Sequence, residues 1–195
     1  MRGGARLAGA WALIALLAGC ASPDARFYTL RATTAPAALS VDVSVAVGPV
    51  SVPAAVDRAQ IVVSAGPNQV RVDEFNRWVS PLQDIIARVV AENLVAMLGT
   101  TRVTLFPQTL SASADYRAAI EVQRFESTLG EAATLDAVWT VSRARDGASR
   151  TGRTTVREPA PGAGYEALAA AHSRAISRLS RDIADAVRAL DLSRG

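Results

Sequence analysis

The 195-residue chain has very few of the side chains that do most enzyme and metal chemistry. It contains one cysteine, Cys20, and one histidine, His172. A single cysteine excludes an internal disulfide, and one histidine without further cysteines falls short of a zinc ligand set. The sequence also lacks a Gly-x-Ser-x-Gly motif and a phosphate-binding glycine loop. We therefore expect no catalytic site, no metal site and no cofactor.

Lysine is absent, and all 21 basic residues are arginine. Once the first 19 residues are set aside, 19 arginines remain against 18 acidic residues. Nucleic-acid binding requires a clustered basic surface, and a nearly balanced charge argues against one. We therefore expect no nucleic-acid partner.

The first 20 residues have the pattern of an export signal. Arg2 and Arg6 flank the start of an apolar run over residues 7–18. At about 12 residues the run is shorter than the roughly 20 needed to span a bilayer. It ends in Leu-Ala-Gly-Cys at 17–20, which resembles the bacterial lipobox, in which lipid such as palmitate is attached to the cysteine. We expect removal of residues 1–19 and lipid attachment at Cys20; the alternative is an ordinary signal peptide with an incidental cysteine.

The residues after the cysteine predict the location of the mature chain. Ala21 and Ser22 follow, so no aspartate stands directly after the lipidated residue. By resemblance to Gram-negative sorting rules, this favours the periplasmic face of the outer membrane. A second acyl chain makes such anchoring durable, because one chain binds a membrane only reversibly. We expect residues 20–40 to form the lipidated N terminus, a short strand and a tether, and residues 41–195 to form one domain.

Alternating apolar and polar residues predict most of the strands. Residues 41–47 place four valines on one face; Gly48-Pro49 should break that strand, Val50 and Val52 should extend it briefly, and Pro53 should end it. Residues 60–72 are typical of a hairpin, and residues 115–157 predict three successive antiparallel strands, with Asp146-Gly147 as a hairpin turn.

Two segments have helical periodicity. The first begins at Ser80-Pro81 with a predicted capping box to Gln83 and ends at Gly99. The second covers about residues 165–190, and His172 lies within its apolar stripe, which predicts a packed histidine. Together the elements predict an α/β fold, with a single mainly antiparallel mixed sheet of about seven strands and two long helices packed on it.

The order of short motifs resembles that of the PqiC-like ABC-type transport auxiliary lipoproteins. The resemblance covers nearly the whole mature chain, and Ala54-Ala55 departs from it, since relatives often have an aromatic residue or leucine there. The matching motifs are Phe-Tyr-Thr-Leu at 27–30, Val-Ala-Val-Gly-Pro-Val-Ser-Val-Pro at 45–53, Val-Asp-Arg-Ala-Gln-Ile-Val at 56–62, Phe-Asn-Arg-Trp at 75–78, Pro-Leu at 81–82, Glu-Asn-Leu at 92–94, Phe-Glu at 125–126 and Ala-His-Ser at 171–173.

The resemblance implies a non-catalytic subunit of an envelope transport system. Relatives accompany MCE-domain (mammalian cell entry) proteins that carry lipids or other hydrophobic molecules between the inner and outer membranes. The lipoprotein would dock the periplasmic end of that conduit at the outer membrane and support envelope integrity, and the resemblance also allows a homo-oligomer. Two alternatives stay open: an outer-membrane lipoprotein that assists porin or lipopolysaccharide assembly, and a periplasmic hydrolase.

Two turn-rich segments beside strands are candidates for the partner-binding surface, because binding residues are commonly displayed on loops of a rigid scaffold. The segments are residues 53–60 and 75–78. Arg58 could offer a planar set of donors to a partner, or it could pair locally with Asp57 or Asp73.

An aromatic side chain in the second segment has two interpretations. Trp78 could anchor an interface, or it could cover the apolar stripe of the first helix. The predicted partner-binding residues are Arg58, Gln60, Phe75 and Trp78.

Overall fold

The computed structural model describes residues 24–35 and 40–193. Over these ranges the chain forms eight strands and two long helices, with a short 3₁₀ helix at Thr109–Ser113. The strands are β1 (Arg26–Tyr28), β2 (Val45–Ser51), β3 (Gln60–Gly66), β4 (Gln69–Trp78), β5 (Val103–Leu105), β6 (Tyr116–Thr128), β7 (Ala132–Arg143) and β8 (Ser149–Pro159). The helices are α1 (Leu82–Leu98) and α2 (Tyr165–Leu192).

The strands form two mixed sheets. One has three strands in the order β1-β4-β3, and the other has five in the order β5-β2-β6-β7-β8. The predicted α/β class with two long helices is confirmed, but the prediction of a single sheet of about seven strands is wrong. The antiparallel hairpins β6–β7 and β7–β8 lie where the sequence placed them. The hairpin β3–β4 begins at Gln60 as predicted, but β4 continues past residue 72 to Trp78, so residues 75–78 are strand and not turn. The parallel pairs β1–β4, β2–β5 and β2–β6 join strands far apart in sequence, so local patterns did not reveal the division into two sheets.

The first valine-rich strand is shifted toward the C terminus relative to its prediction. β2 begins at Val45 and continues through Gly48-Pro49, where the pairing with β6 has an irregularity between Val47 and Val50. Gly48 has φ +121°, and a Cβ there would lie 3.3 Å from the Cβ of Phe106. The glycine that we expected to break the strand therefore allows a bend inside it, at a position that only glycine occupies easily, and β2 ends at Ser51, shortly before the predicted end at Pro53.

Both helices have the predicted apolar stripes, but the cap of α1 differs. Pro81 occupies the N-cap position and no side chain caps the helix, so the predicted Ser80 capping box is not formed. The predicted end is confirmed, because Gly99 adopts φ 65° and donates its N–H to the carbonyl of Val95. Buried α1 residues are Leu82, Ile85, Ile86, Val89, Val90, Asn93, Leu94, Met97 and Leu98.

The core lies between the five-stranded sheet and the two helices. Alternate residues of β7, such as Leu135, Ala137 and Val141, are fully buried on the helix side. Inside the helix interface, the Asn93 amide donates to the Ser180 hydroxyl at 3.2 Å. On the opposite face the sheet is polar, with residues such as Arg117 and Arg153 exposed to solvent. One sheet face therefore provides the burial that stabilises the fold.

Candidate functional site

The two predicted binding segments lie side by side at one end of the three-stranded sheet. The backbone N–H of Trp78 donates to the carbonyl of Ala59 at 2.6 Å. Gln60 pairs with Arg77 in the β3–β4 register, and its amide donates to the Glu74 carboxylate at 3.3 Å. The loop before β3 and the end of β4 therefore form one surface. We call the part of it formed by the exposed Arg58 and Phe75 and the half-buried Gln60 the candidate docking surface.

Arg58 is exposed on this surface. Within residues 24–35 and 40–193, its guanidinium has no hydrogen bond or ion pair, so neither of the predicted local pairs with Asp57 or Asp73 is formed. Asp73 instead accepts hydrogen bonds from Tyr165 and Asn76 and from the backbone N–H of Phe75. Arg58 thus presents all of its donors to the surroundings of the protein.

Trp78 lies beneath the surface, with only 4% of its area exposed. Its ring meets Phe125 of β6 edge-on, at 6.1 Å between centroids and 74° between planes. A direct contact between Trp78 and a partner would need the side chain to leave this position. In the structure Trp78 instead packs the three-stranded sheet against the five-stranded one, and in this way holds the candidate docking surface from below.

The single histidine packs on the same phenylalanine, Phe125, and extends the aromatic contact to α2. His172 of α2 stacks on Phe125 at 3.7 Å and 7°, and its Nε2 lies 2.8 Å from the Ser127 hydroxyl. It is fully buried, as the helical stripe predicted, and burial lowers its pKa to about 3. The imidazole is therefore neutral at physiological pH and belongs to the packing between the two sheets and α2.

A polar cluster that the sequence did not reveal joins β1, β4 and α2. The hydroxyl of Tyr165 donates to Asp73 at 2.6 Å, and the hydroxyl of Tyr28 donates to Asn76 at 2.9 Å. The two tyrosine rings are 5.9 Å apart. The short spacing of Asp73 and Asn76 is the one local signal, because an aspartate can accept from nearby N–H groups in a turn. The tyrosines come from distant positions and have no such signal.

The charge state of this cluster follows from its hydrogen bonds. Partial burial raises the pKa of Asp73, but the hydrogen bonds from Tyr165, from the Asn76 side chain and backbone and from the Phe75 backbone outweigh it and lower the pKa to about 2. Burial and the hydrogen bond to this carboxylate raise the pKa of Tyr165 to about 12. The pair is thus a neutral phenol donating to a carboxylate, and it fixes the middle of β4 to the start of α2.

A groove of about 780 Å³ opens between the β3–β4 hairpin and the last residues of β6. One wall carries apolar side chains of β3 and the loop before it, and the other carries the Arg124–Glu126 ion pair at 2.7 Å. Its lining includes Pro53, Ala55 and Val56, so the groove borders the loop that presents Arg58. The candidate docking surface and the groove are therefore neighbouring parts of one face.

The described residues contain neither a metal-ligand cluster nor a membrane-spanning helix. Among the described residues, no group of three or more His, Cys, Asp or Glu side chains is arranged to hold a metal ion. Neither of the long helices, nor any other in that part of the chain, combines the length and apolarity needed to cross a bilayer. Cys20, the predicted lipid attachment site, lies outside the described residues.

A family model identifies the chain. Residues 28–184 match the ABC-type transport auxiliary lipoprotein component. The chain belongs to this family. Its membership confirms the resemblance seen in the sequence and makes this auxiliary lipoprotein a membrane-associated component of transport systems.

Two solved structures show the same fold. A crystal structure of a Xanthomonas campestris protein of the DUF330 family has a TM-score of 0.70 and 23% sequence identity, covering 88% of this chain and 100% of that one. A crystal structure of an uncharacterised protein has a TM-score of 0.69 and 17% identity, covering 85% and 99%. The match to the PelC dodecamer from Paraburkholderia phytofirmans covers 77% of this chain and 91% of the PelC chain, at 16% sequence identity and a TM-score of only 0.39. No curated protein sequence matches the auxiliary lipoprotein.

Proposed function

We propose that this auxiliary lipoprotein is the non-catalytic outer-membrane subunit of an ABC-type lipid transport system. After removal of residues 1–19, lipid on Cys20 holds it to the periplasmic face of the membrane. There it docks the periplasm-spanning MCE-domain component and so supports envelope integrity. Family membership supports the transport role, and the lipobox-like residues 17–20 support the anchor.

One structural observation supports docking more than any other. The hydrogen bond between Trp78 and Ala59 joins two segments that the sequence indicated separately, so that Arg58, Gln60 and Phe75 share a surface. An arginine with exposed donors beside an aromatic ring that is 40% exposed is a combination enriched at protein interfaces. This composition suits a partner surface with carboxylate or carbonyl acceptors around an apolar contact.

The path of the N terminus supports a position of this surface near the membrane. β1 pairs in parallel with the last residues of β4, from Arg26 opposite Asn76 to Tyr28 opposite Trp78. Asp24 follows Cys20 by only four positions, which can span at most about 14 Å. The docking surface is therefore held close to the lipid anchor, which suits a subunit that receives its partner at the outer membrane.

The proposal can be tested by recovering partners of the lipidated protein from detergent-solubilised envelope membranes. The test variant is Arg58→Ala/Phe75→Ala, which changes exposed side chains and leaves the buried Trp78 in place. The matched control is Arg150→Ala/Leu110→Ala, which removes an exposed arginine and a 73% exposed leucine elsewhere on the protein. We expect the parent and the control to recover an MCE-domain protein, and the test variant to recover it at least about tenfold less, because interface anchors typically contribute more than 1.4 kcal/mol.

Two other results would contradict the proposal in different ways. Equal recovery by the test variant and the control would remove the docking role from Arg58 and Phe75. Recovery of only porin-assembly or lipopolysaccharide-export components would replace the transport docking role with the assembly alternative. A Cys20→Ala version, followed by membrane fractionation, tests the anchor separately, since the unlipidated protein should leave the membrane fraction.

A further inference from the structure

Two apolar side chains are strongly exposed where the N-terminal chain enters the fold. Phe27 is 63% exposed and Val79 is 59% exposed. Phe27 lies opposite Arg77 in the β1–β4 register, and the N–H of Val79 donates to the carbonyl of Tyr28 at 2.9 Å. Side chains alternate between the two faces of a sheet, and Tyr28 is half-buried on the inner one. Phe27 and Arg77 therefore share the outer face, and the exposed Val79 follows directly after the end of β4.

The charged groups around this face favour a weakly anionic partner. Arg26 and Arg31 are exposed on the N-terminal segment, and Arg77 lies between the two apolar side chains. The acidic groups nearby are Asp24, which is exposed, and Glu74, whose carboxylate is 3.9 Å from the Arg77 guanidinium. Three arginines thus accompany two carboxylates beside an apolar patch. Apolar side chains flanked by arginines are typical of surfaces that meet phospholipid headgroups.

The length of the chain before β1 restricts what this face can meet. Phe27 follows Cys20 by seven residues, which reach at most about 25 Å. The opposite end of the fold is much farther away. Tyr165, which begins α2, lies against Tyr28, and the 28-residue helix extends about 40 Å from there to Leu192. The face that carries Phe27 and Val79 is therefore at the end of the protein nearest the anchor.

We propose that this face, the Phe27–Val79 face, rests on the phospholipid surface and forms a second membrane contact beside the acyl chains. The proposal rests on the lipid anchoring at Cys20 proposed above. Phe27 and Val79 enter the headgroup region, while Arg77 meets lipid phosphates. Two contacts fix the orientation of the body, which acyl chains on a tether cannot do. Gln60 lies opposite Arg77 on the same face, but on β3, two strands away from Phe27. The contact is therefore made at the β1 edge of the sheet and leaves Arg58 and Gln60 on the β3 side above the membrane for docking.

The test uses the full lipidated protein in vesicles of phosphatidylethanolamine and phosphatidylglycerol. A Phe27→Trp variant places an emitting ring on the proposed contact. The matched control is Leu192→Trp, because Leu192 is an 86% exposed apolar residue at the far end of α2. The mature parent already contains Trp78 and Trp139, so its tryptophan fluorescence is subtracted from that of each variant. The added fluorescence is recorded with and without lipids that are brominated near the headgroup end of the acyl chains. We expect a blue shift and loss of most of the added emission for Phe27→Trp, and neither for Leu192→Trp.

Flotation of the same vesicles separates failure of the contact from failure of the anchor. If the protein floats with the vesicles but the Phe27→Trp emission is unquenched, the contact is overturned and the anchor stands. Equal quenching of both variants also overturns the proposal, because the body would then have no preferred face on the membrane. If the protein does not float, the anchor at Cys20 is wrong and the contact proposal falls with it.

Discussion

The two sheets differ in how much of each strand they bury. In β7 of the five-stranded sheet every residue is buried or half-buried, whereas in β4 of the three-stranded sheet only Trp78 is buried. Both are long strands with two neighbours, so strand pairing alone does not explain the difference. The helices explain it, because α1 and α2 cover the larger sheet. The larger sheet therefore provides most of the stability, and the smaller one keeps surface available for contacts outside the domain.

A short aromatic stack connects the two regions. Trp78 from the smaller sheet, Phe125 from the larger one and His172 from α2 pack in sequence. The exposed residues of the smaller sheet are thus supported by the same core that stabilises the larger one. Changes at exposed positions of the smaller sheet should affect binding and leave folding nearly unchanged, whereas changes in the larger sheet or the stack should affect folding first.

The largest effect is expected for a truncation in the larger sheet. Leu135→Ala removes a fully buried side chain beneath the helices and should lower the free energy of unfolding by about 2–5 kcal/mol. Val70→Ala in β4 provides the comparison, because Val70 is 64% exposed and its truncation should change the value by less than about 0.5 kcal/mol. Chemical denaturation of both variants measures the difference, and similar losses in the two would contradict the division of roles between the sheets.

A pH effect of roughly 2–3 kcal/mol is expected at the aromatic stack. Burial lowers the pKa of folded His172 to about 3, whereas in the unfolded chain it is near the ordinary 6.5. Below pH 6.5 the unfolded state takes up a proton that the folded state does not, so the stabilisation present above 6.5 is lost progressively down to about 3. The slope is about 1.4 kcal/mol per pH unit. Chemical denaturation between pH about 7 and about 4.5 should show this fall.

A variant that cannot titrate isolates the histidine from other groups. His172→Gln should be less stable than the parent at neutral pH, because it loses the stacking on Phe125. Its free energy of unfolding should nevertheless change much less over the same pH range, which ends above the region where Asp73, with a pKa of about 2, titrates. A parent and a variant with the same slope would show that His172 is accessible to protons in the folded state.

Sequence patterns predicted the local elements of this fold well. Helical periodicity located α1 and α2, and strand alternation located the three hairpin pairs, because in each case the signal lies within adjacent residues. The division into two sheets depends on β1 and β2, which pair in parallel with strands far away in sequence. No residue in those strands specifies its distant partner, so the sheets appeared in the sequence as one.

The candidate site was predictable to a similar extent. Both segments were predicted to be turn-rich neighbours of strands; this holds for the loop before β3, whereas residues 75–78 form the end of β4. Their contact through Ala59 and Trp78 emerged only from the structure. The burial of Trp78 was one of two interpretations, since an aromatic residue at a strand end is compatible with both core and surface. The bond from Tyr165 to Asp73 spans 92 residues and has no local pattern.

The smallest expected changes in the free energy of unfolding come from replacing one glycine in each sheet by alanine. In the larger sheet Gly152 of β8 faces Trp139 of β7, and a Cβ at Gly152 would lie 2.2 Å from Cζ2 of that ring. The ring cannot swing away freely, because its Nε1 donates to the Thr154 hydroxyl at 3.0 Å. Gly152→Ala should therefore lower the free energy of unfolding by about 1–3 kcal/mol.

In the smaller sheet Gly66, at the end of β3, has more space around it. A Cβ there would meet only the Cβ of Gln69, at 3.9 Å, which is an ordinary van der Waals contact. Gly66→Ala should leave the free energy of unfolding unchanged or raise it by up to about 1 kcal/mol, since alanine restricts the unfolded chain. Thermal and chemical denaturation of the two variants measures how the free energy of unfolding responds to one added methyl group in each sheet. A loss at Gly66 equal to that at Gly152 would mean that the smaller sheet is packed as tightly as the larger one, and that its exposed face is less free to adapt to a partner or a membrane than we propose.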